Sequence, residues 1–214
     1  GSGRLRITQA YRPDDGARLP NLPRFGTQLR MSGEFEQVAW YGRGPHETYA
    51  DRKTSGRFGV YRGEINEQFH RYSRPQETGN KTDVRWMSLS GPKGIGIVAV
   101  GDQPLSTSVW PFEMGELEYQ PAAQGAESAS GLVPITSKHG AEIETGSTIT
   151  WNLDVAQMGV GGDNSWGRPV HDQYSITPQD LTYAFDLVPF LTSETAAEQI
   201  FAEALECADA TAGR

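Results

Sequence analysis

The chain has 214 residues, with 27 aspartates and glutamates against 19 lysines and arginines, which gives a formal net charge of −8. This acidic excess, without any cluster of basic residues, argues against a protein that binds the phosphate backbone of nucleic acids. No apolar run approaches the roughly 20 residues that a membrane-spanning helix needs, and residues 1–4 carry no apolar signal core, so we expect a soluble protein with no membrane partner.

The single cysteine, Cys207, excludes an intrachain disulfide, so packing alone must hold the fold together. The length suits one large domain with a substantial core, and all-β domains reach this size undivided. The 25 glycines and 13 prolines indicate many turns.

Short segments with strand-like patterns, separated by turn residues, dominate the chain, and almost no helical period precedes position 192. Eight of them are predicted to be strands, at 4–11, 26–32, 34–41, 82–90, 95–101, 148–158, 173–176 and 182–188. The predicted fold class is therefore all-β, a sandwich of mainly antiparallel strands. The links at 42–80 and 111–137 exceed ordinary hairpin loops, so we expect them to be functional or packed over a sheet face.

The loop at 42–52, with the sequence GRGPHETYADR, concentrates charge directly after a predicted strand. One interpretation makes His46 and Glu47 an acid/base or ligand pair in the wall of a site. The other is an ion-pair network that fixes the irregular loop, because charged loops commonly satisfy themselves. That network would consist of Arg43, Glu47, Asp51 and Arg52.

A second polar loop, at 72–86, leads into the strand predicted at 82–90. Its residues Glu77, Asn80 and Arg85 have side chains suited to contact a ligand. They are equally suited to tie the loop to the sheet edge through hydrogen bonds from side chain to backbone.

The segment 158–167, MGVGGDNSWG, follows a strand in which apolar and polar residues alternate. Its glycines permit close approach of another surface, and Asp163 and Asn164 offer short polar side chains. An indole on such a loop is a flat apolar plate beside polar groups, which suits the C–H face and hydroxyl edge of a sugar. Trp166 is therefore a candidate sugar-binding residue, and a buried core tryptophan is the alternative.

The last segment, 192–208, is rich in alanine and spaces apolar residues by four, at Ile200 with Ala204 and at Phe201 with Leu205. This pattern predicts a short helix, which either docks on the sandwich or belongs to a poorly ordered tail. We expect a sandwich domain over 1–190 and a helical or poorly ordered tail over 191–214.

Four segments in this order carry a resemblance to a known family: LPRFG at 22–26, GRGPHETYADR at 42–52, PQETGNKTDVRW at 75–86 and MGVGGDNSW at 158–166. Together they resemble the C-terminal small-chain domain of family-2 β-galactosidases, over about residues 4 to 190. The resemblance implies a β-supersandwich like that of galactose mutarotase, packed beside a catalytic (β/α)₈ barrel of the same parent chain. It further implies that Trp166 reaches into the active site of the barrel as a platform for the sugar bound beyond the galactose.

The resemblance also implies that this chain is a fragment of an enzyme that hydrolyses terminal β-galactosides such as lactose. A retaining glycosidase needs two carboxylates about 5 Å apart, and in this family both are glutamates of the barrel. The domain's own first strands are also expected to be missing. We therefore expect no catalytic residue here and no hydrolysis by the isolated chain. Where the family often has a second aspartate, this chain has Asn164, which argues against a role that needs charge there.

The remaining expectations concern ligands and location. We expect no cofactor or metal in this fragment, while the family leaves room for magnesium and sodium in the parent enzyme, at ligands of the barrel. The resemblance leaves open a homo-oligomeric parent enzyme, and we expect it in the cytoplasm or periplasm of a bacterium. Besides Trp166, Asp163 and Asn164 are candidate substrate-binding residues. Five further residues are expected to line the site or to structure its loops: His46, Glu47, Arg52, Glu77 and Asn80.

Two rival functions stay open. A free-standing aldose epimerase like galactose mutarotase needs a histidine and a glutamate across a pocket. The available histidines are His46, His70, His139 and His171, and no local pattern pairs them with a suitable acid. A non-catalytic carbohydrate-binding module predicts measurable affinity of the isolated chain for glycans through Trp166, whereas a fragment of a composite site should bind galactose and lactose poorly.

Overall fold

Eight strands form the framework of the protein, whose computed structural model describes residues 3–14, 18–73, 75–117, 140–164 and 167–202. The strands are β1 (Leu5–Tyr11), β2 (Arg24–Ser32), β3 (Gln37–Gly44), β4 (Arg57–Glu64), β5 (Lys81–Ser90), β6 (Ile95–Trp110), β7 (Thr148–Gln157) and β8 (Leu181–Leu191). Short 3₁₀ helices lie at Ile65–Glu67, Met114–Glu116, Gly140–Glu142 and Asp172–Tyr174. Residues 197–202 are α-helical and are called α1.

The sheet branches at β6, and all its strand pairings are antiparallel. The first part of β6, from Ile95 to Gly101, pairs with β8, whereas its last part, from Ser106 to Trp110, pairs with β7. One arm has the order β1-β8-β6-β5-β3-β4, and the other runs from β6 through β7 to β2. The 16-residue strand β6 thus joins the layers of an all-β sandwich, which confirms the predicted fold class.

The main hydrophobic core draws its side chains from both arms of the sheet. Large residues such as Trp40, Trp151 and Phe185 are buried in it, and Leu29 of the short arm packs against the same cluster. Burying an aromatic or aliphatic side chain of this size contributes roughly 1.5–3 kcal/mol. This core fixes the relative position of the strand ends that carry the loops discussed below.

Strand β7 departs from the predicted pattern of a half-buried strand. Its apolar residues face the core, but Thr150, Asn152 and Asp154 on the opposite face are also buried. The Asn152 amide donates to Ser108 Oγ at 2.9 Å, and the Thr150 hydroxyl donates to the carbonyl of Phe112 at 2.7 Å. The polar face of β7 is thus covered by other segments, and these two buried polar side chains have the hydrogen-bond partners that burial requires.

Helix α1 packs on the outer face of the sheet. Ala197 and Ile200 are buried against Trp86 and two β6 valines, and the rings of Tyr41 and Phe201 meet with centroids 6.2 Å apart. The predicted C-terminal helix is therefore docked over the part that the structure describes, while residues 203–214 lie outside it. No helix among the described residues is long and apolar enough to cross a membrane.

Three strand predictions need correction, and the first concerns the strand predicted at 95–101, which continues to Trp110 as β6. The link at 42–80 contains β4, an edge strand whose glycines and charged residues weaken the alternation that marks a strand. The strand predicted at 173–176 is wrong, because Asp172–Tyr174 is a 3₁₀ helix and Ile176 makes only an isolated bridge to Leu22. Of the other long link, 111–137, only residues 111–117 are described.

Candidate functional site

The glycine-rich segment 158–164 leaves β7 on a path that backbone hydrogen bonds hold in place. The amide of Met158 donates to the carbonyl of Pro23 at 3.0 Å, and the amide of Gly159 donates to the carbonyl of Tyr174 at 2.9 Å. The segment is therefore tied both to the start of β2 and to the 3₁₀ helix that precedes β8.

Asp51, which comes from the charged loop at 42–52, anchors the next part of the glycine-rich segment. Its carboxylate accepts the amides of Val160 at 3.1 Å and Gly161 at 2.7 Å. A Cβ atom at Gly159 would lie 2.6 Å from Oδ2 of Asp51, so a glycine is needed for this close approach. Two of the sequence motifs thus meet at this point.

The far side of the segment is held by Asp163, whose Oδ1 lies 2.7 Å from Nε2 of His171. Both side chains are mostly exposed, at 65% and 58%. The hydrogen bond and the charge of Asp163 raise the pKa of His171. Asn164 is exposed, whereas Ser165 and Trp166 lie outside the described residues.

A cleft of about 640 Å³, called the loop cleft, opens beside this segment. Its walls include Arg24, Tyr49, Glu77, Gln157, Val160 and Arg168. The volume lies within the range of small-molecule sites, roughly 300–1,000 Å³. The loop cleft is therefore large enough to take a sugar or a side chain from a neighbouring domain.

Arg24, in the wall of the loop cleft, connects the buried carboxylate of Asp154 with the partly buried carboxylate of Glu77. Its Nη2 lies 2.5 Å from Asp154, and its Nη1 lies 3.4 Å from Glu77. Burial raises the pKa of Asp154 despite the opposing charge of Arg24. Burial also raises the pKa of Glu77 to about 7, against the lowering effects of Arg24 and the amide of Thr78. Two carboxylates share one guanidinium here, and their negative charge is incompletely compensated.

Glu47 is the hub of the charged loop, with a side chain only 14% exposed. Its carboxylate accepts hydrogen bonds from Arg52 at 2.5 Å, from the amide of Gly79 at 2.7 Å and from the hydroxyl of Tyr72. Burial acts to raise the pKa of Glu47, but these donors and the charges of Arg52 and Lys81 outweigh it and lower the pKa. Glu47 is therefore an ionised acid engaged in holding two loops together.

The neighbours of Glu47 in the two motifs also have structural partners. His46 Nε2 lies 2.9 Å from the Ser55 hydroxyl, on the surface. Asn80 is fully buried, and its amide donates to the carbonyl of Thr48 at 2.8 Å and to Ser106 Oγ at 2.9 Å. Asn80 thus ties the loop to the sheet and presents no group to solvent.

Comparison with known proteins supports the resemblance found in the four motifs. A profile of the family described as "Beta galactosidase small chain" matches residues 1–187. The chain belongs to this family.

Relatives of the small-chain domain carry the name "Beta-galactosidase". Those of Priestia megaterium and Halalkalibacterium halodurans are 33% and 34% identical over 188 residues, which cover 87% and 86% of this chain. That of Lactobacillus delbrueckii subsp. bulgaricus is 33% identical over 179 residues, or 84% of this chain. The aligned part is only 16–17% of each relative. The chain thus spans about a sixth of the length of these relatives.

The small-chain domain brings some of the predicted site residues together and separates others. Arg52 and Glu77 line the loop cleft, whereas His46 and Glu47 line a second cleft described below. The predicted ion-pair network is correct for Glu47 with Arg52. It is wrong for the other two members, because Asp51 binds backbone amides and Arg43 pairs with Asp83 on the neighbouring strand.

Sequence reasoning missed the partners that complete these networks. Asp83 has a left-handed backbone with φ of 57° at an irregularity of β5, and it accepts hydrogen bonds from Arg43 at 2.6 Å and from Lys53 at 3.1 Å. These salt bridges lower the pKa of Asp83 against the effect of burial. Asp83 lies inside the third motif, so its charge was visible, but its partners lie 40 and 30 residues away.

Of the histidines considered for an epimerase, His46 and His70 line one cleft together with Glu47, whereas His171 lies elsewhere. His171 contacts a carboxylate, that of Asp163, and the pair lies on the surface instead of across a pocket. His70 packs edge-on against the ring of Tyr72, with centroids 4.4 Å apart. His139 lies outside the described residues.

Replacing Glu77 by glutamine should stabilise the domain at neutral and higher pH. A folded-state pKa of about 7 lies above the ordinary 4.5, so the unfolded chain releases its proton first and stability falls as pH rises from about 4.5 to 7. We expect Glu77→Gln to be nearly neutral at pH 4 and to add about 1–3 kcal/mol at pH 8. Thermal unfolding of both proteins across this range measures the effect.

The matched control is Glu113→Gln, which removes an exposed glutamate that pairs with Arg30. Its effect on Tm should be small, because exposed ion pairs contribute little. If the difference in Tm between Glu77→Gln and the unaltered domain stayed constant from pH 4 to pH 8, the raised pKa of Glu77 would be contradicted.

Proposed function

We propose that this domain completes the active site of a retaining β-galactosidase that hydrolyses terminal β-D-galactosides, and that Trp166 forms the platform for the sugar bound beyond the galactose. The observation that carries this proposal is the anchoring of the chain on both sides of Trp166. Before it, Asp51 and two carbonyls hold residues 158–161. Beyond it in the chain, His171 contacts Asp163, which precedes Trp166.

Such anchoring favours a binding role because it holds in place the residues that flank Trp166 in sequence. A platform of this kind contributes only if it is already in place when the sugar arrives, since ordering a loop on binding costs free energy. The exposed Asp163 and Asn164 precede Trp166 in sequence, and carboxylate and amide side chains are of the kind that hydrogen-bond sugar hydroxyls. Indole has no group that titrates in the relevant range, so its role would be binding.

The chemistry of bond cleavage is assigned to another part of the parent chain. Hydrolysis with retention requires an acid/base carboxylate and a nucleophilic carboxylate about 5 Å apart, both facing the sugar. Among the described residues, three buried or partly buried acids around the two clefts are already engaged: Glu47 with Arg52, and Asp154 and Glu77 with Arg24. The catalytic pair, and any metal that serves it, would belong to the barrel domain.

The first test uses the isolated domain. We expect no hydrolysis of a chromogenic β-galactoside by the purified chain. We also expect no Trp166-dependent binding of galactose or lactose, because most contacts of a composite site come from the barrel. Turnover that co-purifies with the chain and is free of host enzyme would overturn the assignment of catalysis to another domain. Calorimetric binding of lactose that Trp166→Ala abolishes would instead favour a carbohydrate-binding module.

The second test uses the full-length parent enzyme. We expect Trp166→Ala to raise KM for disaccharides about two- to tenfold, the cost of one aromatic stacking contact, and to reduce galactosyl transfer to sugar acceptors. The KM for hydrolysis of an aryl galactoside should change less than the KM for disaccharides. Steady-state kinetics with both substrates, and the ratio of transfer to hydrolysis, measure this effect.

Two further variants sharpen that experiment. Asp51→Ala removes the acceptor of two loop amides and should reproduce part of the Trp166→Ala effect. Lys93→Ala removes an exposed side chain that lines neither cleft and pairs with Glu34, and it should leave the kinetics unchanged. Unaltered KM and transfer in Trp166→Ala would remove the platform role.

A further inference from the structure

A second cleft, of about 490 Å³, lies beside the charged loop and is called the lysine cleft. Tyr72 lines both this cleft and the loop cleft, so the two are neighbours. Its walls come from β3, β4, the start of β5 and the segment between β4 and β5. They include Trp40, His46, Glu67, Phe69, His70 and Lys81.

Lys81 is the unusual member of this wall, because its charged group is buried. The residue is only 3% exposed, and its Nζ lies 5.1 Å from the centre of the Trp40 ring. Among the described residues the ammonium has one hydrogen bond, to the carbonyl of Gly79 at 3.3 Å. An ammonium can donate three. Burial lowers the pKa of Lys81 to about 8, although the nearby Glu47 opposes the change.

Two other charged residues of the lysine cleft, Glu47 and Arg62, already have partners of opposite charge. Glu47 is engaged by Arg52, and Arg62 at the rim makes a salt bridge with Glu198 of α1. The groups left to meet a ligand are therefore the ammonium of Lys81, the imidazole of His70 and the exposed carboxylate of Glu67. This set offers donors and acceptors in near balance.

Such a wall suits a neutral ligand with several hydroxyls better than an anion. Two carboxylates, those of Glu47 and Glu67, line the same cleft, and the whole chain is acidic, with a net charge of −8. The aromatic rings of Phe69 and Tyr72 add apolar surface, which the C–H face of a sugar ring can cover. The cleft volume falls in the range of small-ligand pockets.

We propose that the lysine cleft is a second carbohydrate site that binds a neutral hexose, with Lys81 donating hydrogen bonds to its hydroxyls. This site goes beyond the proposed function and does not depend on it, because it needs neither Trp166 nor another domain. Its dissociation constant is expected on the order of 1–10 mM, typical of a few hydrogen bonds and one ring contact.

The first experiment compares binding of galactose and glucose to four forms of the isolated domain by ligand-observed NMR. We expect saturation transfer to the hexose with the unaltered chain and with Trp166→Ala, and its loss with Lys81→Met. Lys53→Met is the matched control, since Lys53 pairs with Asp83 away from the cleft and should leave binding unchanged. Near-UV circular dichroism checks that each variant is folded.

The second experiment needs no substitution at Lys81. Acetylation of Lys81 and of the exposed Lys93 is followed by mass spectrometry at pH 8, with hexose, sorbitol or acetate added. Hexose at about five times its dissociation constant should slow acetylation of Lys81 roughly sixfold relative to Lys93, following 1 + [L]/Kd. Sorbitol and acetate should have little effect.

Three results would overturn the proposal. One is the absence of hexose binding up to about 100 mM, well above the expected dissociation constant. Another is protection of Lys81 by acetate as strong as that by hexose, which would indicate an anion site. The third is binding that Trp166→Ala abolishes and Lys81→Met leaves intact, which would assign the sugar to the glycine-rich loop and support a carbohydrate-binding module.

Discussion

Gly26→Ala should destabilise the domain by about 3 kcal/mol or more, a large effect for one methyl group. Gly26 lies in β2 directly opposite Asp154 of β7, next to a register shift at Phe25. A Cβ atom there would contact the Asp154 carboxylate and lie 2.5 Å from its Cα. Because the contact includes backbone, a change of side-chain rotamer cannot relieve it, and the two strands must separate.

The displacement would also reach the loop cleft. Asp154 would move away from Arg24, which links it to Glu77. Gly115→Ala is the control, since no atom lies within 4 Å of a Cβ built there. Urea unfolding of the two variants separates the steric effect from the general effect of replacing glycine. Equal midpoints for both variants would contradict the close approach of β2 and β7.

Glu47→Gln should cost about 2–3 kcal/mol at pH 7, because it removes the charge from a mostly buried carboxylate that accepts several hydrogen bonds. The donors include Arg52, the hydroxyl of Tyr72 and the amide of Gly79. Glutamine cannot accept from all of them, and it gives Arg52 no counter-charge. Loops 42–52 and 72–80 should lose their mutual contact, which also forms the boundary between the two clefts.

The contribution of Glu47 to stability depends on pH. The pKa of Glu47 is lowered in the folded domain, so its contribution is present above the ordinary pKa of about 4.5 and is lost as pH falls through the folded value. The gap between Glu47→Gln and the unaltered domain should therefore narrow in acid. The control is Glu34→Gln, which breaks an exposed ion pair with Lys93 and should cost well under about 1 kcal/mol. If the difference in the free energy of unfolding between Glu47→Gln and the unaltered domain were the same at pH 7 and pH 3, an ionised Glu47 in the folded domain would be contradicted.

These networks make the face of the domain around the two clefts a connected unit. Asp51 links the charged loop to the glycine-rich segment. Glu47, which also pairs with Arg52, links the charged loop to the segment before β5. Substitutions in the charged loop should therefore alter the loop cleft without touching a sugar. Kinetic effects of such variants in the parent enzyme would therefore show that the charged loop positions the glycine-rich segment. Only substitutions of Trp166 itself test direct stacking on the sugar.

Much of the architecture was predictable from the pattern of residues. Alternation in the segments that became β1, β2, β5 and β7 placed them correctly, because the period of two is imposed by the pleat of any strand. The glycine-rich segment and the charged loop were recognised as unusual because their residue types permit tight turns or demand partners. The four ordered motifs also identified the family, which the profile match over residues 1–187 supports.

The remaining features depend on residues distant in sequence, and only the tertiary structure decided them. Asp51 accepts amides 109 and 110 residues away, and Arg24 reaches Asp154 across 130 residues. The polar face of β7 reads as solvent-exposed in sequence but is buried, because covering by other segments is a long-range property. The local sequence pattern determines to which side of a strand each side chain points. The partner of that side chain, and therefore its pKa, depends on which distant element packs against the strand.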